Sequence, residues 1–256
     1  MTSLVSLVRS DGVAVLTLDD PRHRNVLSPK MIAEISAAVD DAEADQTVNA
    51  LILTGRGTAF CAGAELRTLE DAARGDFGLI RNVYTGFLRV LNSRLLTVAA
   101  VNGPAVGAGF NLALACDLRL ASPGARFESR FPRLRIFPGG GHTFMLTRAV
   151  GYQQAVLACL LGAAWDAEEA LQRGLVIEVA EPDGLVGRAR EIIRRVGDQD
   201  PEYVARLLST LRTSSTAQSH AKALEDEAAW QEWSTRQPAF LAGLEDIRQA
   251  IARRSS

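Results

Sequence analysis

The sequence predicts an α/β protein with an all-helical C-terminal region. Short apolar runs rich in β-branched residues alternate with segments of helical apolar spacing up to about residue 190, whereas Gly187 to Arg254 carries no strand signal. A third observation is the stretch Val98 to Cys116. There an apolar run ends at the turn signal Asn102-Gly103-Pro104, and small residues then open a buried helix. The organisation is therefore a body over residues 1–190 and a helical region over 191–256.

Taken in order, Val5 to Val8 and Val13 to Leu18 flank Ser10-Asp11-Gly12, a hairpin signal with the glycine where positive φ is wanted. Asp19 to Asn25 forms a polar loop. Ser28 before Pro29 reads as an N-cap and first helical residue, and Met31, Ile32, Ile35, Ala38, Val39 and Ala42 return at helical spacing. Ala50 to Gly55 is a short buried strand, followed by the small-residue segment Phe60-Cys61-Ala62-Gly63-Ala64-Glu65-Leu66. Asp71 to Gly78 reads as a mobile surface segment, and Ile80, Val83, Tyr84, Phe87, Leu88 and Leu91 place a helix on the sheet.

Beyond the central stretch, Asp117 to Ala121 is a strand and Phe127 to Phe137 an irregular, arginine-containing segment. Pro138-Gly139-Gly140-Gly141-His142 opens a helix toward Val150. Ala155 to Leu161 and Asp166 to Arg173 are further helices, stopped by Gly162 and Gly174. In the tail, Ala221 to Trp233 and Phe240 to Ile251 show helical spacing and suit an arm packed on a neighbouring subunit.

Composition narrows the function classes. With 256 residues, 47% hydrophobic and 23% charged, the chain can bury a real core. Its net charge of −2, from 28 basic and 30 acidic residues, favours neither nucleic acid nor an anionic membrane. Cys61, Cys116 and Cys159 lack metal-ligand or redox spacing, and no Cys/His cluster proposes a metal site. The N-terminus does not look like a signal peptide, and no apolar run reaches the roughly 18 residues of a membrane span. A cytoplasmic protein is the expectation.

The two small-residue openings are the chemical signal. Backbone without bulky side chains can approach a ligand closely, and the first N–H groups of a helix have no intrahelical partner. Such groups suit an oxyanion, the bland alternative being a tightly packed helix start. A dinucleotide loop is disfavoured, because Leu112 stands where the third glycine after Gly107 and Gly109 is required.

With both openings in view, the chain resembles the crotonase superfamily, also called the enoyl-CoA hydratase/isomerase family. The matching pieces are Asn25-Val26-Leu27-Ser28, Gly57 through Leu66, the central stretch through Arg119, Ala125-Arg126-Phe127, Ile136 through Gly141, and Ala167 through Val176. The resemblance implies a crotonase-like spiral of ββα units, homotrimers or dimers of trimers, and an acyl-CoA thioester as substrate, with CoA entering only as part of it. By position it assigns the oxyanion-hole N–H groups to Ala64 and Ala108, the latter where glycine is common. It sets the CoA adenine against the backbone of Ala62, Ala64 and Leu66, and the phosphates near Arg22 and Arg24, with Arg67 a further candidate. Each arginine has the alternative of a solvated surface charge.

The two glutamates of family hydratases fall on Asn111 and Phe131, and neither is a carboxylate. An acid–base group is worth about 10²–10⁴ in rate, so standard hydration is disfavoured. Asn111 can hold a water or an acyl oxygen but cannot take a proton at neutral pH. Glu128 is a substitute base if its carboxylate turns toward the acyl group, where an apolar wall from Phe131 would raise its pKa. Its alternative is a surface glutamate or a salt bridge to Arg126 or Arg130. His142, at a helix start, is a second substitute that could titrate near neutrality, although the helix N-terminus would tend to lower its pKa; its alternative is a capping or packing histidine. Arg130, Arg133 and Arg135 interleave with apolar residues, and one of them could meet an acyl carboxylate, the alternative being ordinary surface pairing. Ser214, Ser215 and His220 lack the strand-turn-helix setting of a serine hydrolase, and Trp230, Trp233 and Phe240 suit helical core or a subunit interface. The expectation is an acyl-CoA enzyme with isomerase-like or other non-standard chemistry; the alternative is a non-catalytic acyl-CoA-binding protein.

Overall fold

The computed structural model describes residues 3–214 and 219–254 and divides into two compact units after Gln199. In the first unit β1 (Val5–Ser10) and β2 (Val13–Leu18) form the hairpin, with Asp11 and Gly12 at φ 53° and 72°. Two positive φ values give the turn the twist of its strands. Ser28 caps α1 (Pro29–Ala44) by accepting the Met31 N–H at 3.2 Å, and Met31, Ile35 and Val39 are buried. Next come β3 (Ala50–Gly55), α2 (Leu66–Ala73) and α3 (Gly78–Leu91). The expected mobile surface segment from Asp71 thus begins inside α2, and only a short turn through Gly75 separates the helices. Charges at Arg67, Glu70 and Asp71 masked the helical spacing of Leu66, Leu69 and Ala73.

The central stretch holds β4 (Leu96–Val101), β5 (Pro104–Val106) and α4 (Ala108–Leu114). A short strand therefore stands where a loop was expected. Pro104 is its first residue, a place where a missing N–H is tolerated. Then follow β6 (Leu118–Ala121), β7 (Arg126–Glu128), α5 (Phe131–Leu134), α6 (His142–Cys159), β8 (Ala164–Asp166), α7 (Ala167–Gln172), β9 (Glu178–Val179) and α8 (Leu185–Gly197). The segment Phe127 to Phe137 is accordingly more regular than expected. Two expected helices are joined in α6 across a kink at Gly151, whose φ is 79° and ψ 167°.

Six strands form one sheet in the order β1-β2-β3-β4-β6-β9, parallel apart from the hairpin, and β5-β7-β8 form a second. Successive strands go to different sheets before a helix follows: β4, β5, α4, then β6, β7, α5. Strand β3 is buried on both faces, as a parallel central strand must be. Leu51 and Leu53 face the core with α1, α3 and α4, while Ala50 and Ile52 face Leu185, Ala189 and Ile193 of α8. That packing puts all of α8 in the first unit, so the division falls at residue 199 and not at 190.

Asn25, expected in a polar loop, is fully buried with φ 55°. Its side-chain oxygen accepts the Asp20 N–H at 2.9 Å, and its amide donates to the Ala59 and Phe60 carbonyls at 2.9 and 3.2 Å. It ties the first opening to the chain before α1.

The second unit contains α9 (Pro201–Ser214), α10 (His220–Thr235) and α11 (Pro238–Arg254). Arg206 stacks its guanidinium on Trp230 and Trp233, 4.1 and 4.5 Å from the ring centroids. Ser214 ends α9 and His220 begins α10, with no adjoining strand among the described residues; Ser215 lies outside them.

Candidate active site

The two openings are joined by main chain. Cys61 N–H donates to the Pro104 carbonyl at 3.1 Å, and Val106 N–H donates to the Cys61 carbonyl at 3.0 Å. A Cβ on Gly109 would stand 2.1 Å from the Cys61 carbonyl oxygen, and one on Gly63 2.6 Å from that of Val106. Only glycine allows the segments to come this close. Ala64 and Ala108 border the resulting cavity, and among the described residues neither N–H has a backbone acceptor.

The cavity measures about 540 Å³, and its apolar walls come mainly from α2, α3 and α5. No carboxylate lines it among the described residues; its polar side chains are Tyr84, Asn111, Ser129 and Arg130. Tyr84 keeps its proton, because burial pushes its pKa up despite a hydrogen bond from the Gly140 amide. Cys61 is inert as a thiol, since burial pushes its pKa up to about 12.

Asn111, Ser129 and His142 are each 1% exposed and form a chain of hydrogen bonds. The Asn111 amide nitrogen donates to the Gly139 carbonyl at 3.0 Å, so its oxygen faces His142 Nδ1 at 2.6 Å. An oxygen acceptor there requires the proton on Nδ1. His142 Nε2 is then the acceptor, and Ser129 Oγ donates to it at 2.8 Å. Burial pushes the His142 pKa down to about 4, so the imidazole is neutral at pH 7. Phe110 and Phe131 flank the ring, with centroids 5.4 and 5.0 Å away.

The family described as enoyl-CoA hydratase/isomerase matches residues 8–246. The chain belongs to the enoyl-CoA hydratase/isomerase family. It is 43% identical over 239 residues to a Mycobacterium tuberculosis protein described as probable enoyl-CoA hydratase EchA14, covering 91% of this chain and 92% of that one. It is 36% identical over 204 residues to the short-chain-enoyl-CoA hydratase of Clostridium acetobutylicum, covering 78% of this chain and 77% of the relative. The crystal structure of an enoyl-CoA hydratase from Bacillus anthracis superposes with a TM-score of 0.89 at 27% identity, covering 96% of each chain. The two sheets and their helices are thus the crotonase fold.

Within this enoyl-CoA hydratase/isomerase fold, Ala62, Ala64, Leu66, Ala108, Asn111 and Phe131 all line the cavity. Arg22 and Arg24 are exposed on the loop before α1, and the Arg24 carbonyl accepts the Ala62 N–H at 3.0 Å, which sets that loop beside the first opening. Arg67 extends into solvent, 86% exposed, with a 3.9 Å contact to Asp71.

Two expectations are corrected. Glu128 does not turn into the cavity: its buried carboxylate meets Arg130 at 2.7 Å and Arg133 at 3.4 Å. The Arg130 hydrogen bond, with the charges of Arg130, Arg133 and Arg126, holds its pKa below the usual range, where an apolar wall was expected to raise it. His142 does not titrate near neutrality, because burial outweighs the ordinary value. Ser129 and Tyr84 were not foreseen as site residues. A sequence signal for Ser129 existed: it lies two residues beyond buried Phe127, on the same face of an extended segment.

Proposed function

We propose that this family member binds an acyl-CoA, holds the thioester oxygen between the N–H groups of Ala64 and Ala108, and stabilises the enolate formed when an α-proton leaves. The observation that carries this reading is a pair of backbone donors that have no backbone acceptors among the described residues, bordering a cavity that none of the described carboxylates lines. Each donor is worth about 3–4 kcal/mol to an oxyanion. Charge developing there meets no like charge, whereas hydration through two carboxylates lacks its acid and base.

Proton movement falls to Ser129 and His142. As Ser129 Oγ takes the α-proton, its own proton passes to His142 Nε2, whose free lone pair the Asn111 contact preserves. Returning that proton to another carbon gives an isomerase-like reaction. The backbone of Ala62 and Leu66 offers a surface for the adenine, and Arg22, Arg24 and Arg67 supply cations for the phosphates. Exposed Leu211, Leu224, Leu241 and Ile247 of the helical unit suit burial against other copies, in keeping with trimers or paired trimers.

The test is mass spectrometry of saturated, 2-enoyl, 3-enoyl and malonyl-type CoA thioesters incubated with the protein in deuterated water. Deuterium uptake without addition of water supports the reading; addition of water to the 2-enoyl thioester contradicts it. Tight binding with no mass change in any thioester identifies a non-catalytic acyl-CoA binder.

A further inference from the structure

We propose a further activity: Ser129 is a nucleophile that accepts the acyl group from the thioester, which makes the protein an acyl-CoA hydrolase. The inference rests on the proposed acyl-CoA binding, and it adds a covalent step that enolate chemistry does not require.

The arrangement has the parts such a step needs. Ser129 lines the cavity, its hydroxyl donates to His142 Nε2 at 2.8 Å, and Asn111 orients the imidazole from its far side at 2.6 Å. A nucleophile, its base and a third group that fixes the base's tautomer are the geometric signature of hydroxyl activation. The usual obstacle to an amide as third member is the wrong tautomer. Here the Gly139 carbonyl removes that obstacle, because it engages the Asn111 nitrogen at 3.0 Å and leaves only oxygen for Nδ1.

The backbone supports the same reading. Ser129 lies between β7 and α5, and the next residue, Arg130, has φ 61°, a conformation that side-chain-bearing residues rarely adopt. This is a strand-turn-helix setting, which Ser214 at the end of α9 lacks among the described residues. Gly107, which pairs its N–H with the Glu128 carbonyl at 2.9 Å, holds Ser129 beside the segment that presents the Ala108 N–H.

The step balances without any further reagent. Ser129 Oγ bonds to the thioester carbonyl carbon as its proton moves to His142 Nε2, and the oxyanion rests on the two N–H groups. The C–S bond then breaks, and the CoA thiolate leaves with the proton from His142. Water attacks the acyl-serine ester, giving its proton to His142, and the ester C–O bond breaks as that proton returns to Ser129 Oγ. The net reaction is thioester plus water to carboxylic acid plus CoA.

The test uses the full chain with acetyl-, butyryl- and octanoyl-CoA. Released CoA and carboxylic acid are measured, the intact protein mass is read for an acyl adduct, and the adduct is mapped by peptide sequencing. A parallel incubation in deuterated water reads α-exchange. The proposal expects CoA release, an adduct on Ser129, and a loss on the order of 10³-fold or more in S129A. S129C is expected to retain the adduct as a slowly hydrolysed thioester. The thiol of Cys159 also contacts Ser129, so the mapping must distinguish the two. An adduct on Cys159 alone, or CoA release that persists in S129A, overturns the proposal. Deuterium uptake with no CoA release and no adduct overturns it while leaving the enolate reading intact; neither signal with any thioester removes both.

Discussion

Asn111 Oδ1 and His142 Nδ1 stand 2.6 Å apart, and among the described residues the imidazole has no carboxylate behind it. The pair combines a fixed tautomer with a neutral ring, and Asn111 stands at the sequence position to which the resemblance assigns the first hydratase glutamate.

Replacing the amide by a carboxylate tests this contact. N111D is expected to raise the His142 pKa from about 4, because an opposite charge within hydrogen-bond distance shifts a titration by about 1–3 units. NMR titration of the imidazole reads the shift, and an unchanged value means that the contact is absent in solution.

His142 also makes stability depend on pH. Its folded pKa, about 4, lies below its ordinary value of 6.5, so the unfolded chain takes up the proton first as pH falls. Its contribution is fully present above about pH 6.5 and is lost as pH falls toward 4, in all about 3 kcal/mol. Urea unfolding from pH 7 to pH 4 is expected to show a shallower pH dependence for H142Q than for the wild type. Identical slopes would rule out a buried neutral imidazole.

Glu128 is predicted to be a structural residue. Because Arg130 and Arg133 are substantially exposed, E128Q is expected to cost only about 1 kcal/mol and to leave acyl-CoA turnover near the wild-type rate. With its folded pKa lowered, the carboxylate stabilises the protein above its ordinary value of 4.5, and that contribution is lost as pH falls through the folded value. Chemical denaturation and steady-state assays separate the two effects; a large drop in turnover with unchanged stability would return Glu128 to the list of bases.

Gly109 has no room for a methyl group. A Cβ 2.1 Å from the Cys61 carbonyl oxygen must push the two openings apart, so G109A is expected to lower stability by about 2 kcal/mol or more and to abolish turnover. Calorimetry and the assays above read both. A variant of wild-type stability and activity would mean that the openings are not in contact.

Much of this architecture was legible in the chain. The hairpin at Asp11-Gly12, the Ser28 cap and the alternating strands and helices follow from local rules, and they appear where those rules place them. What stayed hidden depends on long-range partners. The short strands β5, β7 and β8 gain meaning only from one another, since three residues carry too little pattern alone. At the site, the small-residue openings were readable because glycine and alanine advertise open backbone. Which of the two readings holds for Glu128 and for His142 was not, because burial and neighbours, rather than residue type, set their titration.

The seam between the openings has one further consequence. The Ala64 and Ala108 donors belong to segments joined by Cys61, Pro104 and Val106 through main-chain bonds, so apart from the glycines at 63 and 109 that the close approach requires, the gauge between them does not depend on which side chains stand around it. Asn111, Phe131 and Ser129 can therefore change while the spacing of the two N–H groups stays as it is.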